Sequence, residues 1–180
     1  MDTKQVRFCG FGGQGIVLAG LIFGHAGIAD GKWVTSTSTY GAAARGGACR
    51  CDVVISDEPI IFPQVIKPDI LIPMSQPAYD RYIGDIERGI GIVIYDEGVM
   101  PREIGELEQI GIPATRVAIE ELGNEIVANM IILGATIEMT SIVSKEALIS
   151  ATRENVPETF TELNVKALDI GFNLGRKVRL

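Results

Sequence analysis

Two short segments hold most of the residues whose type and spacing could do chemistry. The first is Gly10-Phe11-Gly12-Gly13-Gln14-Gly15, which follows a short apolar run at residues 6–9 and precedes a long apolar run. A strand, a glycine loop and a helix in that order form an anion-binding arrangement, because free backbone N–H groups and the positive helix end face outward. Gly10, Gly12 and Gly15 satisfy G-x-G-x-x-G, a weak signal alone. A dinucleotide site also needs an acid about 20 residues on, at the end of the second strand. Asp30 has the spacing but falls before that strand, which closes on Ser36-Thr37-Ser38-Thr39. A Walker A loop is excluded because Ile16 stands where that motif has Lys. Two readings stay open for Gly12, Gly13, Gln14 and Gly15. One is contact with a phosphate or cofactor. The other is a tight strand-to-helix turn beneath a close interface.

The second segment is Tyr40-Gly41-Ala42-Ala43-Ala44-Arg45-Gly46-Gly47. Small neighbours let a ligand or another chain approach. Arg45 supplies a fixed cation suited to carboxylate or phosphate. We take Tyr40, Arg45, Gly46 and Gly47 as candidate binding residues, against the alternative of a surface loop with an exposed Arg.

Catalytic signals are scarce elsewhere. The single histidine, His25, sits inside an apolar helical run and reads as a core residue. HExxH motifs are impossible with one histidine, and no G-x-S-x-G elbow or C-x-x-C motif occurs. Cys49 and Cys51 share one face of a strand-like run, but two thiols do not complete a zinc site. With Cys9 they read as small core or interface residues. Asp96-Glu97 and Glu120-Glu121 read as solvated or helix-starting charges. No residue is assigned a catalytic role and none a metal.

The elements that must position these loops follow from composition and period. The chain has 180 residues, 47% apolar and 22% charged, with a net charge of -7. That length suits one domain over residues 1–180. The acidic balance argues against nucleic acid. The mean hydropathy of +0.26 suggests a buried subunit face. The longest apolar stretch, residues 16–29, is too short to span a membrane, and no signal peptide is visible. The expectation is a cytoplasmic protein with reduced thiols.

Strand-like runs lie at residues 6–9, 33–37, 50–55, 70–73, 91–95 and 114–118, with a short return strand at 60–62. Helical patterns cover residues 16–29, 75–83, 120–140 and 145–152, then run from 159 or 161 to about 176. Gly20, Gly24 and Gly27 lie on one helix face and would admit another backbone. Arg176, Lys177 and Arg179 oppose the last helix's dipole. Strands alternating with helices predict an α/β fold, a three-layer α/β/α sandwich with a mostly parallel, mixed sheet.

Taken together, the two glycine motifs resemble a known family. Gly10 to Gly15 resembles the G-x-G-G-Q-G start of gamma subunits of 2-oxoacid:ferredoxin oxidoreductases, and Tyr40 to Gly47 resembles their Y-G-x-x-x-R-G-G segment. Residues 51–56, 68–72, 129–134 and 164–171 follow in the family's order. The Ala-rich second motif is similar to 2-oxoglutarate-type or general oxoacid versions. The resemblance implies oxidative decarboxylation of a 2-oxoacid to an acyl-CoA, with electrons passed to ferredoxin. It implies alpha and beta partner subunits, with delta as an optional fourth. Thiamine diphosphate, magnesium and iron–sulfur clusters would sit on those partners, since this chain lacks the G-D-G and ferredoxin-type cysteine motifs. Coenzyme A would enter as substrate, near the two glycine loops. The small subunit of indolepyruvate oxidoreductase, a stand-alone nucleotide-binding α/β protein and a purely structural partner are the alternatives.

Overall fold

The computed structural model describes residues 3–40 and 48–178. Its sheet has six strands: β1 (Lys4–Phe11), β2 (Trp33–Tyr40), β3 (Ala48–Ser56), β4 (Ile70–Pro73), β5 (Ile92–Asp96) and β6 (Glu108–Ile112). The spatial order is β2-β3-β1-β4-β5-β6. β1, β4, β5 and β6 are parallel, while β3 runs antiparallel to both β1 and β2. The expected mixed sheet is therefore present.

The helices are α1 (Ile16–Ala29), α2 (Gln76–Tyr82), α3 (Ala114–Leu122), α4 (Ala128–Thr140), α5 (Lys145–Asn155) and α6 (Glu158–Val178). Their distribution is lopsided. The main core joins α1, α3, α4, α5 and α6 to one sheet face through Val6, Phe8, Val53, Ile55 and Ile72. α2 packs on the other face through Tyr79 and Tyr82, against Cys9, Leu71 and Val93. Strand alternation produces this split, since neighbouring side chains point to opposite faces.

Four expectations need correction. Residues 114–118 are helical, not a strand; the strand lies just before, at β6. Ala114, Val117 and Ala118 are buried at helical spacing, and the Asp96 carboxylate accepts bonds from Thr115 N and Oγ1 at 3.0 and 2.6 Å, starting the helix. The pattern at 120–140 is two segments. Gly123, at φ 65°, ends α3, and Asn124 Oδ1 accepts from Ile126 N to start a 3-10 turn (Glu125–Val127) before α4. Residues 60–62 form no strand. His25 is exposed, in a stripe with Leu21 and Ile28 along α1. α1 is apolar all round, and the single chain covers only part of it.

The glycines of α1 do admit a close neighbour, but it is side chain, not backbone. A Cβ at Gly20 would collide with Cys51 Sγ, and one at Gly27 would lie 2.9 Å from Val34 and 3.1 Å from Ile55. α4 and α6 cross more tightly. A Cβ at Gly134 would lie 2.5 Å from the Leu168 carbonyl, and one at Gly175 2.7 Å from that of Ala135.

Candidate functional site at the carboxyl ends of the parallel strands

β1 is where the chain changes direction in the sheet. From its carboxyl end the chain passes through α1 to β2 on one side, and β4, β5 and β6 lie on the other. α1 and α2 cover opposite faces, so a crevice opens at that point. In open α/β sheets such a switch point is where ligands bind. The loop at residues 12–15 occupies this crevice, between β1 and α1.

The loop's shape has identifiable causes. Gly13 and Gly15 hold φ of 105° and 70°, in the region that favours glycine. Gln14 clips the loop down. Its Oε1 accepts from Phe11 N at 2.7 Å, and its Nε2 donates to Met74 O, beyond β4, at 2.9 Å. Gly10 leaves room for that amide, since a Cβ there would lie 2.5 Å from Gln14 Oε1. The Gly15 carbonyl accepts from Ala19 N at 2.9 Å and from Asn129 Nδ2 at 3.0 Å, tying the loop to the start of α4. α1 begins without a side-chain cap, so its first N–H groups are open to a ligand.

Two adjoining cavities flank the loop and share Ile126. One, of about 170 Å³, is lined by Gly13, Gln14, Met74, Thr115 and Glu125. The other, of about 210 Å³, is lined by Gly15, Leu18, Val127, Val156, Phe160 and the amides of Asn129 and Asn164, among others. Asn129 and Asn164 read in the sequence only as parts of later helices. Their roles depend on packing across 114 and 149 positions of chain from Gly15. The one available signal was an Asn within an otherwise apolar helix start.

Of the candidate residues, Gly12, Gly13, Gln14 and Gly15 are brought together here. Tyr40 lies at the end of β2 and is 68% exposed. Register places Tyr40 opposite Cys49, and Cys49 opposite Gly10. Two strand spacings, roughly 10 Å, therefore separate the Tyr40 and Gly10 backbones. Arg45, Gly46 and Gly47 lie outside the described residues. The strands that flank their segment, at Tyr40 and Ala48, both end at the edge that carries the glycine loop.

A second polar cluster lies on the α2 face. Arg7 is 2% exposed and bonds Asp52 through Nε and Nη2, at 2.8 and 3.0 Å. It also reaches Asp85 and the Val65 carbonyl, and stacks 5.2 Å from the Tyr82 ring centroid. Burial alone would lower its pKa. The hydrogen bond and charge of Asp52, then the charge of Asp85, more than offset this, and the net shift is upward. Burial pushes the neighbouring Cys9 thiol far up, so it stays protonated. Burial, and then Cys51, raise the Cys49 thiol. These thiols are inert packing groups, not nucleophiles.

Asp30 lies at the far end of α1, where its carboxylate accepts from Ser144 N and Oγ at 2.6 and 2.7 Å. It holds Ser144, the N-cap residue of α5, and is remote from the glycine loop.

The Pyruvate ferredoxin/flavodoxin oxidoreductase family profile matches residues 5–174. The chain belongs to that family. It is 46% identical, over 97% of its length and 95% of the relative's, to the 2-oxoglutarate synthase subunit KorC of Methanocaldococcus jannaschii. A solved keto/oxoacid ferredoxin oxidoreductase gamma subunit from Geobacter sulfurreducens is 39% identical, with a TM-score of 0.84, covering 97% of this chain and 99% of that one. The ketoisovalerate oxidoreductase subunit VorA of Methanothermobacter marburgensis is 34% identical over 96% of this chain, which spans 37% of that longer relative. The resemblance carried by the two glycine motifs is thus borne out across nearly the whole chain. This is a gamma-type subunit of a 2-oxoacid:ferredoxin oxidoreductase, one part of a larger enzyme.

No helix among the described residues is long and apolar enough to cross a membrane.

Proposed function

We propose that this gamma-type subunit, one domain over residues 1–180, supplies one wall of the coenzyme A site in a cytoplasmic 2-oxoacid:ferredoxin oxidoreductase. The observation that carries this reading is the open crevice at the β1 switch point, with uncapped α1 N–H groups behind a clipped glycine loop. That arrangement suits a phosphorylated ligand. The cavities beside it carry no Lys or Arg among the described residues. The charge to meet phosphates would come from Arg45 and from partner chains.

On this reading the alpha and beta subunits, with delta as an optional fourth, hold thiamine diphosphate, magnesium and iron–sulfur clusters and pass electrons to ferredoxin. Coenzyme A is a substrate shared across the interface. Gly12, Gly13, Gln14 and Gly15 face it from one loop, and Tyr40, Arg45, Gly46 and Gly47 from the other. The 46% identity to a 2-oxoglutarate synthase subunit favours 2-oxoglutarate as the oxoacid.

Reconstitution tests the reading. The partner subunits, expressed with and without this chain, are assayed for oxoacid-dependent reduction of a viologen dye. The expectation is coenzyme A-dependent turnover only with this chain present, and none from this chain alone. Full coenzyme A-dependent turnover without it would refute the proposal.

A further inference from the structure

We propose that the outer edge of β2 is an assembly seam, where an uncharged extended strand of a partner subunit pairs and continues the sheet. The proposal rests on this chain being one part of a larger enzyme and is independent of the coenzyme A reading.

β2 is a terminal strand of the sheet, and among the described residues it pairs with β3 alone. An edge strand presents a row of backbone N–H and C=O groups that can template another strand. Proteins blunt such edges with charge, proline, a bulge or short length. β2 has none of these. It is eight residues long, and Trp33 to Tyr40 includes neither a charged residue nor proline. Its register with β3 advances one residue at a time from Trp33↔Ser56 to Tyr40↔Cys49, without a bulge. The opposite edge is better protected: β6 has five residues, opens with the charged Glu108 and ends in the buried Ile112. β2 is exposed from Ser36 to Tyr40, on both of its faces.

The flanks of this edge carry apolar surface. Trp33, at the start of β2, is 54% exposed. Gly24 of α1 sits over Val34, where a Cβ would lie 3.3 Å from that side chain. The exposed Leu21 and Ile28 stand three residues before and four after Gly24, on the same helix face. On the other sheet face, Thr35 Oγ1 donates to the Pro63 carbonyl at 3.2 Å. That bond ties down a segment carrying Ile61, 98% exposed, and the exposed Phe62. Large apolar groups left open on both sides of a neutral edge mark a surface for a partner.

Charge and stoichiometry select the occupant. An edge without charge is matched by an uncharged strand of β-branched or aromatic residues, which pack across the pair. A second copy fits poorly, because each copy carries a net charge of -7 and like charge opposes their approach. A partner subunit fits. This chain matches 37% of the VorA relative, so a domain of this kind is there joined to the rest of a longer chain in a fixed ratio.

Hydrogen exchange, read by peptide mass spectrometry over residues 33–40, compares the free subunit with the oxidoreductase reconstituted from it and its partner subunits. Antiparallel pairing with β3 engages the N–H groups of alternate residues, so about four amides of β2 should exchange fast in the free subunit and slowly after assembly. Ser36→Pro and Thr37→Pro complete the test. Their N–H groups point to opposite edges of the strand, so one variant loses a bond to β3 and the other a bond across the seam. The second should melt near wild type yet assemble roughly 10-fold more weakly or worse. Unchanged exchange of β2 on assembly would overturn the seam. Wild-type assembly by the proline variant that melts normally would do the same. A free subunit that is dimeric by gel filtration, with β2 already protected, would overturn the partner strand in favour of a second copy. If the wild-type chain does not assemble with the partner subunits at all, the proposal falls together with the proposed function, whereas loss of coenzyme A dependence alone leaves the seam standing.

Discussion

Replacing Gly15 by alanine should destabilise the subunit and loosen the crevice together. At φ 70° a Cβ meets left-handed strain of roughly 1–2 kcal/mol. The added methyl would also collide with Asn129 Nδ2 and lie 2.9 Å from its Cγ. Relieving that contact means swinging the amide away and losing its bond to the Gly15 carbonyl, about 0.5–1.5 kcal/mol more. The sum is about 1.5–3.5 kcal/mol. For a chain of this size that corresponds to a melting temperature lower by roughly 3–14 °C. Gly84→Ala is the control, since its Cβ would meet nothing within 4 Å and its φ is ordinary. It should melt within about 2 °C of wild type. Thermal unfolding followed by circular dichroism reads both. Adding Asn129→Ala to Gly15→Ala removes the colliding amide, so the double variant should lose less than the sum of the singles. Wild-type melting of Gly15→Ala, or strict additivity with Asn129→Ala, would show that the loop is not held as described.

Three further outcomes are expected. Arg7→Leu leaves the buried Asp52 facing only Arg50, whose Nε lies 3.4 Å away; it should cost about 3 kcal/mol in urea unfolding, and adding Asp52→Leu should recover much of that. Glu138 bonds Lys145 and lies 3.6 Å from Arg176, and the Lys145 hydrogen bond leads in holding its pKa below the usual value. A depressed carboxylate contributes stability above its unfolded pKa of about 4.3 and loses it as pH falls through the folded value. Glu138→Gln should therefore destabilise by about 0.5–1 kcal/mol at neutral pH, with the difference from wild type vanishing in acid melts. Arg45→Ala should raise the coenzyme A KM of the assembled enzyme by roughly 10- to 150-fold while the free subunit melts unchanged. Wild-type kinetics would remove Arg45 from the site, and unfolding of the free subunit would make it structural.

Local features of the chain reveal part of this architecture. β1, the glycine loop and α1 were legible because an apolar run, a glycine cluster and a long apolar stretch adjoin one another. The α3 segment was not, because Ala-Thr-Arg-Val-Ala is locally ambiguous and its helix start depends on Asp96, 19 positions earlier. Arg7 interrupts an apolar strand with no local hint of its partner, since Asp52 is 45 positions away. His25 misled because an apolar helix suggests burial, yet one stripe of α1 is left open by the single chain. The site was legible as a loop and illegible as a pocket. Asn129, Phe160 and Asn164 come from two other helices, and only the α4–α6 crossing over Gly134 and Gly171 brings them beside Gly15.

Photo-cross-linking of coenzyme A in the assembled enzyme would test the shared site at the level of atoms. A photoreactive coenzyme A analogue is bound, irradiated and mapped by peptide mass spectrometry. Labelled peptides from this chain covering residues 10–18, 124–129 or 156–164, suppressed by excess coenzyme A, are the expected result. Label confined to the partner subunits, with saturation by coenzyme A intact, would contradict a role for this crevice in binding it.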